Sequence, residues 1–178
     1  MCNQHLLRQS CFFRFKYTNM LNKFCGLLFV TCILFSCQKT EQKRILDIVK
    51  EWDGKEITFP THSIFTIQGY DTVSYKIPKS YYKVVVFVDS VGCISCKLQL
   101  PNWKKFMHEV DSLCDGNVPF VFFFQTKDVR ELRYILRRDN FSHPVCIDTE
   151  DIFKKLNRFP KEMMFQTFLI DSENRVKE

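Results

Sequence analysis

The chain has 178 residues, with 26 Lys and Arg against 20 Asp and Glu, and nine cysteines. Four of the bases lie in residues 1–37, which hold no acid, so the other 22 nearly balance the 20 acids and the formal charge of +6 is no mark of a nucleic-acid binder. Residues 38–178 are long enough for one domain with its own core, and the four cysteines beyond residue 37 are too few for a disulfide-stapled scaffold.

In chain order, Arg8, Arg14, Lys16 and Lys23 precede an apolar run from Phe24 to Phe35. That run is shorter than the roughly 20 residues of an ordinary bilayer span. A basic start, a short apolar stretch and a small residue before a break form the pattern of a secretory signal over residues 1–36. Starting at Met20 gives a more compact version of the same signal. From the residues alone, the run also fits an uncleaved anchor or a buried apolar segment. Residues 37–43 are polar and read as a tether.

Residues 44–79 read as an N-terminal extension. "RILDIVKEW" has Ile45, Ile48, Val49 and Trp52 at helical spacing. "EITFP", "SIFTIQG" and "DTVSYKI" predict three short strands separated by turn residues. From residue 80 the pattern changes. "KVVVFV" (83–88) and "VPFVFFF" (118–124) are continuous apolar runs of β-branched and aromatic residues, as in strands buried on both faces. Between them Leu100, Trp103, Phe106, Met107, Val110 and Leu113 step at three and four, one face of a helix. "DVRELRYILRR" (128–138) predicts a second helix with an arginine-bearing solvated face. "PVCID" (144–148) reads as a strand, "DIFKKL" (151–156) as a short helix, "QTFLID" (166–171) as a strand and "SENR" as a turn. The alternation predicts an α/β class, a central sheet flanked by helices.

Cys93 and Cys96 sit between the first buried strand and the helix after it. Residues so spaced serve as a redox pair, as metal ligands or as buried thiols. A strand that feeds Cys93 into a helix's first turn places that thiol among unpaired backbone N–H groups, which favours thiolate. Cys96, one turn further in, is expected to lie deeper and react more slowly, so that Cys93 attacks and Cys96 resolves. Cys114 and Cys146 lie near or within apolar segments and are expected as buried thiols. Trp103 is expected in the core, His108 and Lys97 at the surface, and His143 at the end of a loop. No P-loop, dinucleotide motif or Ser-His-Asp set is present, and the pattern calls for neither a cofactor nor a metal.

Two resemblances sharpen these expectations. The junction Ser36-Cys37 after the apolar stretch resembles a bacterial lipobox, which implies lipidation of Cys37, removal of residues 1–36 and attachment to the membrane through a lipid anchor. The order strand–CxxC–helix, Lys97 and Pro101 after the second cysteine, and "QTFLIDSENRV" near the end resemble the thioredoxin superfamily. The likeness is to its membrane-anchored TlpA/AhpC-TSA-type members of the bacterial envelope, over about residues 80–178. It implies a thioredoxin-like central sheet flanked by helices, with Cys93 as nucleophile and Cys96 as resolving cysteine. The implied activity is thiol–disulfide oxidoreduction on protein thiols and disulfides, with no nucleic acid as partner. The implied location faces the periplasm, with Gln38 after the lipidated cysteine favouring the outer membrane. Gly92, Ser95, Phe87 and Phe165 stand where that family usually has Trp, Pro, a buried acid and a cis-proline. A redox-inert binding or sensing lipoprotein with a structural disulfide is therefore the alternative. The likeness also implies that the family's last strand is only begun by residues 176–178 and that its closing helix is missing from these 178 residues.

Overall fold

The structure is a computed structural model and describes residues 41–90, 93–161 and 166–177. The expected signal, Met20, Cys37, Gly92 and Phe165 lie outside the described residues. The chain divides into two units, Met1–Ile48 and Val49–Glu178. In the first, residues 41–48 are helical, and Arg44 pairs with Glu41 at 2.7 Å in solvent, where such a pair contributes little. No helix among the described residues is long and apolar enough to cross a membrane.

The second unit is built on one seven-stranded sheet. Its strands are β1 (Phe65–Ile67), β2 (Asp71–Val73), β3 (Tyr82–Val88), β4 (Phe120–Gln125), β5 (Val145–Asp148), β6 (Thr167–Asp171) and β7 (Val176–Lys177), in the spatial order β2-β1-β5-β4-β3-β6-β7. The central β5, β4 and β3 are parallel, with Val84 beside Phe120 and Phe122 beside Val145. Antiparallel pairs flank them, β1–β2 on the β5 side and β6–β7 on the β3 side. Among the described residues the helices after β3 are α1 (Ile94–Leu98), α2 (Leu100–Leu113), α3 (Val129–Arg138) and α4 (Ile152–Asn157).

The two continuous apolar runs are the central strands because both of their faces are covered. Val84, Val86, Val88, Phe120, Phe122 and Phe124 pack on Ile94, Leu98, Leu100, Leu132, Ile135 and Leu136 from α1, α2 and α3. On the other face Phe87 and Phe123 meet Phe153 of α4, with the rings of Phe123 and Phe153 only 3.9 Å apart between centroids. Trp52, at the end of helical residues 49–52, is buried there against Phe159 and Phe168. Alternation is clear in β6. Phe168 and Ile170 are buried, while Thr167 and Leu169, on the face of Val84 and Val86, are exposed.

Three expectations need correction. "EITFP" forms no strand. Ile57 N–H donates to Asn174 O and Val176 N–H to Lys55 O, so residues 54–57 lie along β7 with a single bridge, Glu56 to Arg175. The helix after the cysteines is two helices. Gln99 stands between them in the left-handed region at φ 41°, and Pro101 falls in the first turn of α2, where its missing N–H is needed by no partner. The arginine face of α3 is only partly solvated. Arg133 Nε donates to Gly69 O at 2.7 Å, and the Arg133 and Arg137 guanidinium groups lie over the Tyr70 ring. Gly69 has φ +77°, and a Cβ there would come within 2.7 Å of Arg133 Cγ.

Candidate active site

The parallel strands β3, β4 and β5 end together, and a polar layer gathers at those ends. Asp89 follows β3 directly and is 3% exposed. Its Oδ1 accepts from Lys97 Nζ of α1, its Oδ2 lies 3.7 Å from Lys154 Nζ of α4, and Gln166 Nε2 donates to Oδ2 at 3.5 Å. Gln166, 2% exposed, also donates to Pro160 O at 3.2 Å, while its Oε1 is buried with no hydrogen-bond partner in the described structure. Beside it, Gln125 accepts from Ser90 N–H and donates to Asp151. Asp148, at the end of β5, accepts the N–H groups of Ile152 and Phe153, so it caps α4 from three residues ahead of the residue before the helix.

Cys93 is the residue before α1. Its sulfur accepts the Cys96 backbone N–H at 3.3 Å and lies 2.6 Å from the Cys96 sulfur; both are free thiols. The Cys96 thiol, first, and then the N–H groups of Cys96 and Ser95 hold the Cys93 thiol below its ordinary pKa. The same sulfur–sulfur hydrogen bond, and the charge Cys93 then carries, push Cys96 up. The contacts acting on these thiols are local, not the depth and helix dipole that the spacing suggested. Cys96 is as exposed as Cys93 rather than deeper, and α1 has only five residues, too few to sum a macrodipole that reaches far. Local donors make the difference. Against them work desolvation first and then the charge of Glu131, in the first turn of α3, both of which raise Cys93.

The other expected residues divide. Trp103 is half-buried, packed against the core and edge-on to Phe122. Cys146 is buried, and desolvation first, then Asp148, pushes its thiol to about 12, so it is inert. Cys114 is only half-buried, at the end of α2. His108 is exposed. His143 is more than the end of a loop: Nε2 shares a hydrogen bond of 2.9 Å with Phe120 O, and the ring is edge-on to Phe122 and Tyr75. Lys97 is not a surface lysine but largely buried on Asp89. No cluster of three or more potential metal ligands occurs among the described residues. A groove of about 270 Å³ runs beside α2, between Trp103, Phe106, Asn102, Val86 and Thr167, with Lys97 at one side.

Neither the Asp89–Lys97 contact nor Glu131 beside Cys93 was named by sequence reasoning. A polar residue directly after a buried strand was the available signal for the first; the second depends on how α3 packs on α1.

No family model and no curated protein matches the chain. Solved structures do resemble it. The thioredoxin domain of a thiol-disulfide oxidoreductase from Bacteroides vulgatus is 17% identical, over 70% of this chain and 84% of that one, with a TM-score of 0.49. StoA from Bacillus subtilis is 14% identical over 67% and 88%, with a TM-score of 0.47. A PrxQ variant from Xylella fastidiosa is 16% identical over 71% and 82%, with a TM-score of 0.48. The strand–CxxC–helix entry, the parallel centre and the antiparallel β6–β7 pair make the architecture thioredoxin-like: a mixed sheet flanked by helices.

Proposed function

We propose that the protein is a thiol–disulfide oxidoreductase of the bacterial cell envelope, acting on protein disulfides through Cys93 and Cys96. The observation that carries this is a pair of exposed, adjacent free thiols at the start of α1, with the Cys93 sulfur accepting the Cys96 N–H and lying 2.6 Å from the Cys96 sulfur; these contacts lower Cys93 and raise Cys96. The Cys93 thiolate attacks one sulfur of a client disulfide. The client S–S bond breaks, a mixed disulfide forms, and the released client thiolate takes a proton from solvent. Cys96 then loses its proton to water and attacks the Cys93 sulfur. The second client thiolate leaves and is protonated, so the client gains two electrons and two protons and the protein ends as the Cys93–Cys96 disulfide. An external dithiol returns it to the starting state.

In this reading residues 1–36 are a signal, Cys37 carries lipid, residues 37–43 are a tether, residues 44–79 an extension and residues 80–178 the thioredoxin-like domain, facing the periplasm, with Gln38 favouring the outer membrane. The basic start and the Ser36-Cys37 junction support it. Insulin reduction with dithiothreitol as donor tests the activity. Turnover that is lost in Cys93→Ser is expected, and no turnover from a chain whose cysteine pair oxidises normally overturns it. A fatty-acid probe fed to cells tests the anchor: it should label the parent and not Cys37→Ala, and equal labelling of both removes that part of the proposal.

A further inference from the structure

The two cysteines lie on a short excursion from the sheet. The chain leaves β3 at Asp89, four positions before Cys93, and Lys97 is the residue after Cys96. Those two flanking residues touch: Lys97 Nζ donates to Asp89 Oδ1. The contact is nearly out of solvent, with the Asp89 side chain 4% and the Lys97 side chain 18% exposed. Asp89 is itself anchored from two further directions, by Lys154 of α4 and by Gln166 ahead of β6. The helix it holds has few other ties. It has five residues, its N-terminal cap is the Cys93 sulfur itself, and it ends at Gln99 in the left-handed region. Only Ile94 and Leu98 bury it.

We propose that the Asp89–Lys97 pair is a non-covalent staple across the redox motif, a positioning pair that keeps Cys96 within reach of Cys93 and so sets how readily their disulfide closes. Ring closure depends on the effective concentration of one thiol at the other, which rises as the freedom between them is removed. A clamp on both flanks of the pair removes that freedom. A desolvated ion pair is screened little by salt, so the staple holds at the ionic strength of the cell's surroundings. The biological use of the staple rests on the proposed oxidoreductase reading; the ring-closure geometry does not.

The test is equilibration of the full chain, solubilised in detergent, with glutathione buffers of varied ratio. The Cys93 and Cys96 thiols lose two protons and two electrons and form one S–S bond. One glutathione disulfide is broken and takes up those protons and electrons as two glutathione thiols. Asp89→Asn and Lys97→Met are each expected to lower the ring-closure constant about tenfold, or about 30 mV. Both remove the Asp89–Lys97 contact, and Asp89→Asn also takes away the charge that Lys154 faces, so the double variant should fall no further than Asp89→Asn alone. Lys97→Arg, which keeps the charge, should recover most of the loss. If a single variant fails to fold because a charge is left alone in the interior, the double variant, which leaves none, is read in its place and should show the same drop. Folded variants whose constants stay within about twofold of the parent, or singles whose losses add in the double, overturn the staple. Failure of insulin reduction alone leaves the ring-closure constants measurable, so the two proposals fall separately.

Discussion

The sulfur of Cys93 accepts the backbone N–H of Cys96 at 3.3 Å and lies 2.6 Å from that residue's own sulfur. With Cys93 ionised, the Cys96 thiol and its N–H are both placed to donate to the same sulfur. Timed alkylation of the reduced chain near neutral pH, followed by peptide mapping, should mark Cys93 well before Cys96. Equal rates would show that these donors do not select between the thiols.

Glu131 opposes Cys93 across solvent, raising it by its charge. Glu131→Gln should lower the Cys93 pKa and speed its alkylation at neutral pH. The gain should be small, because both groups are exposed, and should shrink further as salt is added. A Cys93 rate profile identical to the parent's at low salt would separate Glu131 from the thiol.

Asp148 accepts two N–H groups, from Ile152 and Phe153, at 3.0 and 2.8 Å. Phe153 in turn fills the core between Phe87 and Phe123. Asp148→Ala removes the cap of α4 and should cost about 1–2 kcal/mol of unfolding free energy. Phe153→Ala should cost more, about 3–5 kcal/mol. Urea unfolding of both variants checks the order; an Asp148 variant as stable as the parent would mean that α4 is held by its apolar side alone.

His143 is half-buried among Phe122, Phe141 and Tyr75, and desolvation holds its pKa below the ordinary value. The folded state therefore prefers the neutral ring, while the unfolded chain takes up a proton near pH ~6.5. Stability is full above that pH and falls as the pH drops from there toward the lower folded pKa. The urea midpoint should decline between pH 7.5 and pH 5 more steeply in the parent than in His143→Gln, which retains a donor for Phe120 O. Parallel declines would assign the acid sensitivity elsewhere.

Gly69 sits at φ +77° with Arg133 Cγ against the position a Cβ would take. Gly69→Ala meets both a left-handed backbone cost of about 1–2 kcal/mol and that contact, so the β1–β2 hairpin should loosen from α3. Faster amide exchange across residues 65–73, with the core unchanged, is the expected readout.

What was legible in the sequence follows from what each residue feels. β3 and β4 announced themselves because both faces are buried, so every position is under the same apolar demand. The helix α3 was readable because Leu132, Ile135 and Leu136 share one side of it. "EITFP" misled because its apolar residues serve the core while the backbone makes only a bridge. Cys93 and Cys96 were found by spacing alone, but the depth of Cys96 was not, since it depends on how a five-residue helix is tilted. Lys97 read as a surface lysine, and nothing in the spacing tied it to Asp89. Only a turn that brings the ends of the motif together makes them partners, and no periodicity records such a turn.

The pairing of residues 54–57 with residues 174–176 joins segments as much as 122 positions apart, and β6 must arrive before β3 gains its second neighbour. Closing so long a span costs chain entropy before any contact repays it. Folding of this unit should consequently be slow for its size, a matter of milliseconds to seconds rather than microseconds. Until the late segment arrives, β3 and residues 54–57 present open backbone edges, which makes the nascent chain the form most in need of a holding chaperone.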